Sequence, residues 1–103
     1  MRIAVDAMGS DYAPKEIVLG AVAAAKEYQC DIILVGDQEQ ILPVLDTYNN
    51  WRELGISVQQ ASEVIEMHEH PGVSVRKKKD ASVVVATRLV KEGICDAVVS
   101  AGS

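Results

Sequence analysis

Four short runs rich in apolar residues, Ile3–Val5, Asp31–Val35, Ile56–Gln60 and Asp96–Ser100, alternate with stretches whose apolar residues recur at helical spacing. Strands separated by a helix's length of chain cannot pair through a tight turn, and the connection suited to them is a crossover to a parallel neighbour. The alternation therefore predicts an α/β fold with a mainly parallel sheet and helices on both faces. The run Asp31-Ile-Ile-Leu-Val35 shows no exchange of apolar and polar positions, as expected for a strand buried on both faces. Ile56–Gln60 is half polar and gives the weaker signal.

The intervening stretches carry their own punctuation. In Lys15–Tyr28, residues Ile17, Val18, Ala21, Val22 and Ala25 form one apolar helical face, and Pro14 sits where the missing N–H of a proline costs nothing. Gly36-Asp37 ends the second strand, and Asp37 can cap a helix running through Ile41, Leu42 and Leu45. Pro43 inside that pattern predicts a short or kinked helix. Asn49-Asn50 begins an exposed turn. Residues 61–80 have no clear period and many charges, which predicts a loop or short helical turns. Ala81–Glu92 is helical, with Val84, Val85, Ala86, Leu89 and Val90 on a broad apolar face, Asp80 or Ser82 as its cap and Gly93 as its stop. The fourth strand then runs into Ala101-Gly102-Ser103 with no helix to cover it. Parallel sheets need cover on both faces, so the sequence reads as a piece of a single larger α/β domain, interrupted after that strand.

Composition excludes some functions. The formal charge of −5 argues against general nucleic-acid binding, which needs net or clustered positive charge. With no Phe and four aromatic residues, packing must rest on Val, Ile, Leu and Ala. Cys30 and Cys95 lack a metal or redox spacing and each precedes an apolar run, so both are expected as reduced core thiols. The N-terminus lacks a basic region followed by an apolar one, and no apolar run approaches the roughly 20 residues of a membrane span. The expectation is a soluble, cytoplasmic chain.

Four segments could carry chemistry. The first strand ends at Asp6 and enters the small-residue loop Ala7-Met-Gly-Ser-Asp11 before a helix, the place where α/β proteins hold ligands. Gly9 allows close backbone approach and Ser10 adds a hydroxyl, so the loop and a helix N-terminus could hold a phosphate. Asp6 and Asp11 would orient donors, or a metal if one is present, rather than touch the anion; a sharp strand-to-helix turn capped by Asp11 is the plainer reading. Arg76-Lys-Lys-Lys79 concentrates cations in an acidic chain, which suits an anion or an acidic partner, or simply a solvated basic face. Glu66-Met-His-Glu-His70 has two histidines but no convincing third ligand, and Pro71-Gly72 breaks any regular element there, so no metal site is expected. Ser100-Ala-Gly-Ser103 again follows a strand, and parallel strands bring such loops to one edge, where Ser103 and Ser10 could converge; an ordinary turn is the alternative. The sequence contains no GxGxxG, GxxxxGK[ST] or GxSxG.

Taken in order, V-D-A-M-G-x-D-x-A-P at 5–14, L-V-G-D at 34–37, Arg76-x-Lys78-Lys79 with Ala81-Ser82, and K-E-G-x-x-D-A-V-V-S-A-G at 91–102 resemble the bacterial fatty acyl-ACP:phosphate acyltransferase family over its N-terminal third. The chain departs from the usual pattern at Ser10, commonly Gly, at Tyr12, often His, and at Ser103, often Asn. The resemblance implies a Rossmann-like fold similar to phosphotransacetylases and transfer of an acyl group from acyl carrier protein to inorganic phosphate, for phospholipid synthesis, with no cofactor. It also implies that the chain is the N-terminal part of a single larger catalytic domain, in a homodimer that meets the membrane peripherally. On this reading the phosphate or substrate site is lined by Asp6, Gly9, Ser10, Asp11, Arg76, Lys78, Lys79, Ser82, Gly102 and Ser103, and the catalytic residues are not assigned. A non-catalytic α/β module that binds a nucleotide or another phosphate ligand is the alternative.

Overall fold

In the computed structural model, which describes residues 1–8, 14–48, 50–61 and 81–100, the four apolar runs become four strands of one sheet. They are β1 (Arg2–Asp6), β2 (Asp31–Gly36), β3 (Ile56–Gln60) and β4 (Ala97–Ser100). The sheet order is β3-β2-β1-β4 and every pairing is parallel. The helices are α1 (Lys15–Tyr28), α2 (Gln38–Leu45) and α3 (Ser82–Lys91). This is the α/β, Rossmann-like arrangement expected from the alternation of elements.

The side-chain period of a strand assigns the two faces. Ile32 and Leu34 of β2 share a buried cluster with Val18, Ala21, Val22 and Ala25 of α1 and with Ile41 and Leu45 of α2. Val35, with the partly buried Ile33, belongs to a second cluster with Ala4 of β1 and Val85, Ala86 and Leu89 of α3. β2 is therefore covered on both faces, which is why its sequence is a continuous apolar run. At the edge, β4 differs: Val98 and Val99 are 38% and 52% exposed. Val99, beside Val5 in the register, lines an apolar groove of about 510 Å³ with Ile3, Ile17, Ala21 and Ala24.

Local chemistry sets the element ends. Asp37 caps α2 as predicted, its Oδ1 accepting from the Glu39 N–H at 3.0 Å. That helix has eight residues and runs through Pro43, short as expected. The expected cap of α3 takes another form. Ala81 occupies the N-cap without a side-chain hydrogen bond, Ser82 is the first helical residue with its hydroxyl turned elsewhere, and Asp80 lies outside the described residues. A four-residue 3-10 turn, Trp51–Leu54, was not expected next to Asn49-Asn50; it buries Trp51 in the α1–α2 cluster and ends at Gly55. Gly55 has φ +83°, and a Cβ there would lie 2.5 Å from Asp31 Oδ1. Gly55→Ala should thus lower stability by about 1–2 kcal/mol, since the left-handed conformation and the contact both penalise a side chain. A urea midpoint equal to that of the parent protein would refute this.

Both thiols are free, Cys95 buried and Cys30 half-buried. Burial raises the Cys95 pKa above its usual 9.0, with Asp96 adding to the rise and the nearby Arg2 charge opposing it. A raised thiol pKa favours the folded state below 9.0, and that contribution is lost as pH climbs through the folded value. At neutral pH the protonated, enclosed thiol should react with a disulfide reagent far more slowly than Cys30. Two equally fast thiols in a stopped-flow titration would contradict this burial.

Candidate functional site

Parallel strands place all their C-terminal ends at one edge of the sheet. From β1 the chain moves outward to β2 and β3, then returns to β4 on the other side of β1. The connections diverge across the β1–β4 boundary, and such a switch point leaves a crevice open to ligands. Asp6, the last residue of β1, stands opposite Ser100, the last residue of β4.

Asp6 is 2% exposed, and three donors converge on it. Its Oδ1 accepts from Ser82 Oγ at 2.5 Å and from the Met8 backbone N–H at 3.1 Å, while Oδ2 accepts from Ser100 Oγ at 2.9 Å. A carboxylate taken out of water is costly unless its oxygens are satisfied; here the satisfying groups come from three parts of the chain. Met8 belongs to the loop leaving β1, Ser82 to the first turn of α3, and Ser100 to the end of β4. Among the described residues, no buried side-chain polar atom lacks a partner.

The polarity of this cluster follows from its donors. A serine hydroxyl has one proton to give, and both serines give theirs to Asp6. What they keep for a ligand is lone pairs. The anion-attracting groups at this edge are instead backbone N–H groups, since the first turn of α3 has N–H groups without intrahelical partners and its N-cap, Ala81, offers them no side-chain acceptor. The contact between Ser82 and Asp6 brings that helix end to the switch point.

Of the residues singled out from the sequence, Asp6 and Ser82 are brought together. Gly9, Ser10, Asp11, Arg76, Lys78, Lys79, Gly102 and Ser103 lie outside the described residues, as do His68 and His70. Ser100 is the residue that sequence reasoning passed over. It heads the run Ser100–Ser103, of which the sequence pattern singles out Gly102 and Ser103; the signal for it is the parallel register, which sets the last residue of β4 against Asp6. Among the described residues, no group of three or more His, Cys, Asp or Glu side chains could hold a metal ion, and no helix is long and apolar enough to cross a membrane.

Comparison with known proteins bears on the whole stretch. The fatty acid synthesis protein family matches residues 1–103. The chain belongs to that family. Among its relatives, a phosphate acyltransferase of Pelotomaculum thermopropionicum is 54% identical over 103 residues, covering 100% of this chain and 30% of the relative. Proteins of the same name from Desulforamulus reducens and Heliobacterium modesticaldum are 56% identical over 105 residues and 55% over 103. Each again covers 100% of this chain, and 30% and 31% of those relatives. The chain thus spans about 30% of the length of the curated relatives it matches. The resemblance drawn from the four sequence motifs and this family membership agree.

Proposed function

We propose that the gene's full-length product transfers an acyl group from acyl carrier protein to inorganic phosphate, giving acyl phosphate for membrane phospholipid synthesis. The observation that carries this reading is identity above one half, over the whole chain, to proteins named phosphate acyltransferase. The Asp6 cluster supports it by joining the start of α3, the end of β4 and the start of the chain leaving β1 at the C-terminal edge of the sheet. In the reaction a phosphate oxygen attacks the thioester carbonyl, the C–S bond breaks, and the proton of hydrogen phosphate ends on the released thiol. A thiol of pKa about 8.5 leaves without strong acid help, so the demands on the protein are orientation and stabilisation of the developing oxyanion. This chemistry requires no nucleophilic side chain. We extend the same reading to a cytoplasmic homodimer that meets the membrane at its surface and takes the acidic carrier as partner.

The test is to mix the full-length protein with long-chain acyl carrier protein, with and without phosphate, and to follow thiol release and acyl phosphate together. Phosphate-dependent release of both in equal amounts is expected. Folded protein that releases no thiol would overturn the proposal and leave a module that binds a phosphate ligand without chemistry.

A further inference from the structure

We propose that the outward face of α3 is the surface on which the acidic acyl carrier protein docks; the inference rests on the acyl-transfer reading above. Ser82, Val85, Ala86 and Leu89 turn inward and are buried. Val84, Arg88 and Lys91 follow one another at spacings of four and three, so they form one stripe on the opposite side. Arg88 and Lys91 are exposed, and with Val83, Val84 and Thr87 they line a groove of about 400 Å³. The sequence pattern assigns Val84 to the core face of this helix, yet Val83 and Val84 belong to neither buried cluster. Cations in a last turn are explained by the helix dipole alone. Two half-buried valines beside them on an outer face are not, because such a face is ordinarily polar.

Charge chooses the occupant. α3 carries Arg88 and Lys91 and no carboxylate, Glu92 following only as its C-cap, whereas α1 and α2 each carry acidic residues. In a chain of net charge −5 this helix stands out as basic. Apolar side chains flanked by cations fit an acidic protein surface that brings apolar residues of its own. A second copy fits less well, since a two-fold contact centred on α3 would set these cations against each other. The place also suits delivery. The first turn of α3 is tied to the end of β1 by Ser82 on Asp6. Lys91 lies nine residues beyond Ser82, about 14 Å along the helix axis. A carrier seated on the helix stays beside the sheet edge and swings its acyl group there on a flexible arm, without covering the crevice.

The experiment uses the full-length protein with Lys91→Glu, Lys91→Arg and, as a control, Lys26→Glu. Lys26 is an exposed cation in the last turn of α1, so its reversal matches the change of charge and of helix-end dipole on the other face of the sheet. Lys91→Glu should raise the KM for long-chain acyl carrier protein about fivefold, a favourable exposed pair being replaced by a repulsive one, and leave kcat and the KM for phosphate within about twofold. Lys91→Arg keeps the charge, and both it and Lys26→Glu should stay within about twofold of the parent. Added salt should raise the carrier KM of the parent more steeply than that of Lys91→Glu. A carrier KM unmoved in Lys91→Glu, or moved as far in Lys26→Glu, would overturn the inference, as would equal changes in the carrier and phosphate KM values. A second readout is the fluorescence anisotropy of labelled carrier without its acyl chain, expected to show binding to the parent and about fivefold weaker binding to Lys91→Glu. If the parent shows no phosphate-dependent thiol release, the acyl-transfer reading fails, and anisotropy alone then decides. A parent that does not bind the carrier, or a Lys91→Glu protein that binds it as tightly, would sink the docking face. Loss of anionic-vesicle binding or of self-association in that variant, with carrier binding intact, would give the face to a lipid surface or a second copy instead.

Discussion

Asp6→Ala is expected to destabilise the protein by about 3–4 kcal/mol, because the hydroxyl of Ser82, the N–H of Met8 and the hydroxyl of Ser100 lose one shared acceptor. Ser82 is as buried as Asp6, each at 2%, so water cannot replace the missing oxygen there without opening α3 from the sheet. Ser100 is half-buried and recovers part of its loss from solvent. Asp6→Asn separates charge from geometry. Its remaining oxygen can keep Ser82 and Met8, while its NH2 group faces Ser100, whose hydroxyl can rotate to accept. We expect the asparagine variant to lose only about 1–2 kcal/mol, the difference between a charge-assisted and a neutral set of bonds. Urea unfolding of the three proteins at neutral pH reads this order directly, and hydrogen exchange at Met8 should lose protection in the alanine variant. An alanine variant within about 1 kcal/mol of the parent would show that the cluster holds nothing together.

Such a cluster is only partly visible before folding. The sequence points to Asp6 because an acidic residue ends a strand and a small-residue loop follows. Its partners are another matter: Ser82 and Ser100 lie 76 and 94 positions away. Ser82 looks like an ordinary cap for the helix it begins, since serine is a common cap. Only the return of the chain from β3 to the far side of β1 carries that serine over Asp6, and nothing local in Ala81-Ser82 records that crossover. Ser100 was obscured in the same way, by a register that exists only between paired strands.

The elements themselves were more legible. Lys15–Tyr28 and Ile56–Gln60 have the limits read from the sequence. In the first case five apolar residues mark a single helical face. In the second, β3 lies at an edge of the described sheet, and its polar half is open there: Ile56 is buried while Ser57 and Gln59 are exposed. The 3-10 turn at Trp51–Leu54 escaped because four residues are too few to display a period. Trp51 nevertheless plugs the α1–α2 cluster, with its Nε1 donating to Asp46 Oδ1 at 3.3 Å and Arg52 stacked 4.1 Å from its ring. A large side chain in a polar stretch was the available sign that this turn faces inward.

Leu34→Ala should be the most damaging truncation of an apolar side chain in the sheet, costing about 3–4 kcal/mol. Leu34 is fully buried at the middle of β2, on the face that α1 and α2 cover. Two terms add there: the transfer free energy of the lost carbons, and the cavity left where strand and helix backbones cannot close in. Val99 tests the opposite condition. It is also an apolar strand residue, yet 52% of its surface is open, on the groove between β4 and α1. Its truncation removes little buried area and creates no enclosed void, so Val99→Ala should cost less than about 1 kcal/mol. The pair therefore measures cover rather than residue type. A Leu34→Ala loss below about 1 kcal/mol would contradict the close packing of α1 and α2 on β2. A Val99→Ala loss above about 2 kcal/mol would mean that the groove is filled in the protein under test. If that loss grew with protein concentration, the filling would come from a second copy, because only an intermolecular contact gains occupancy by mass action.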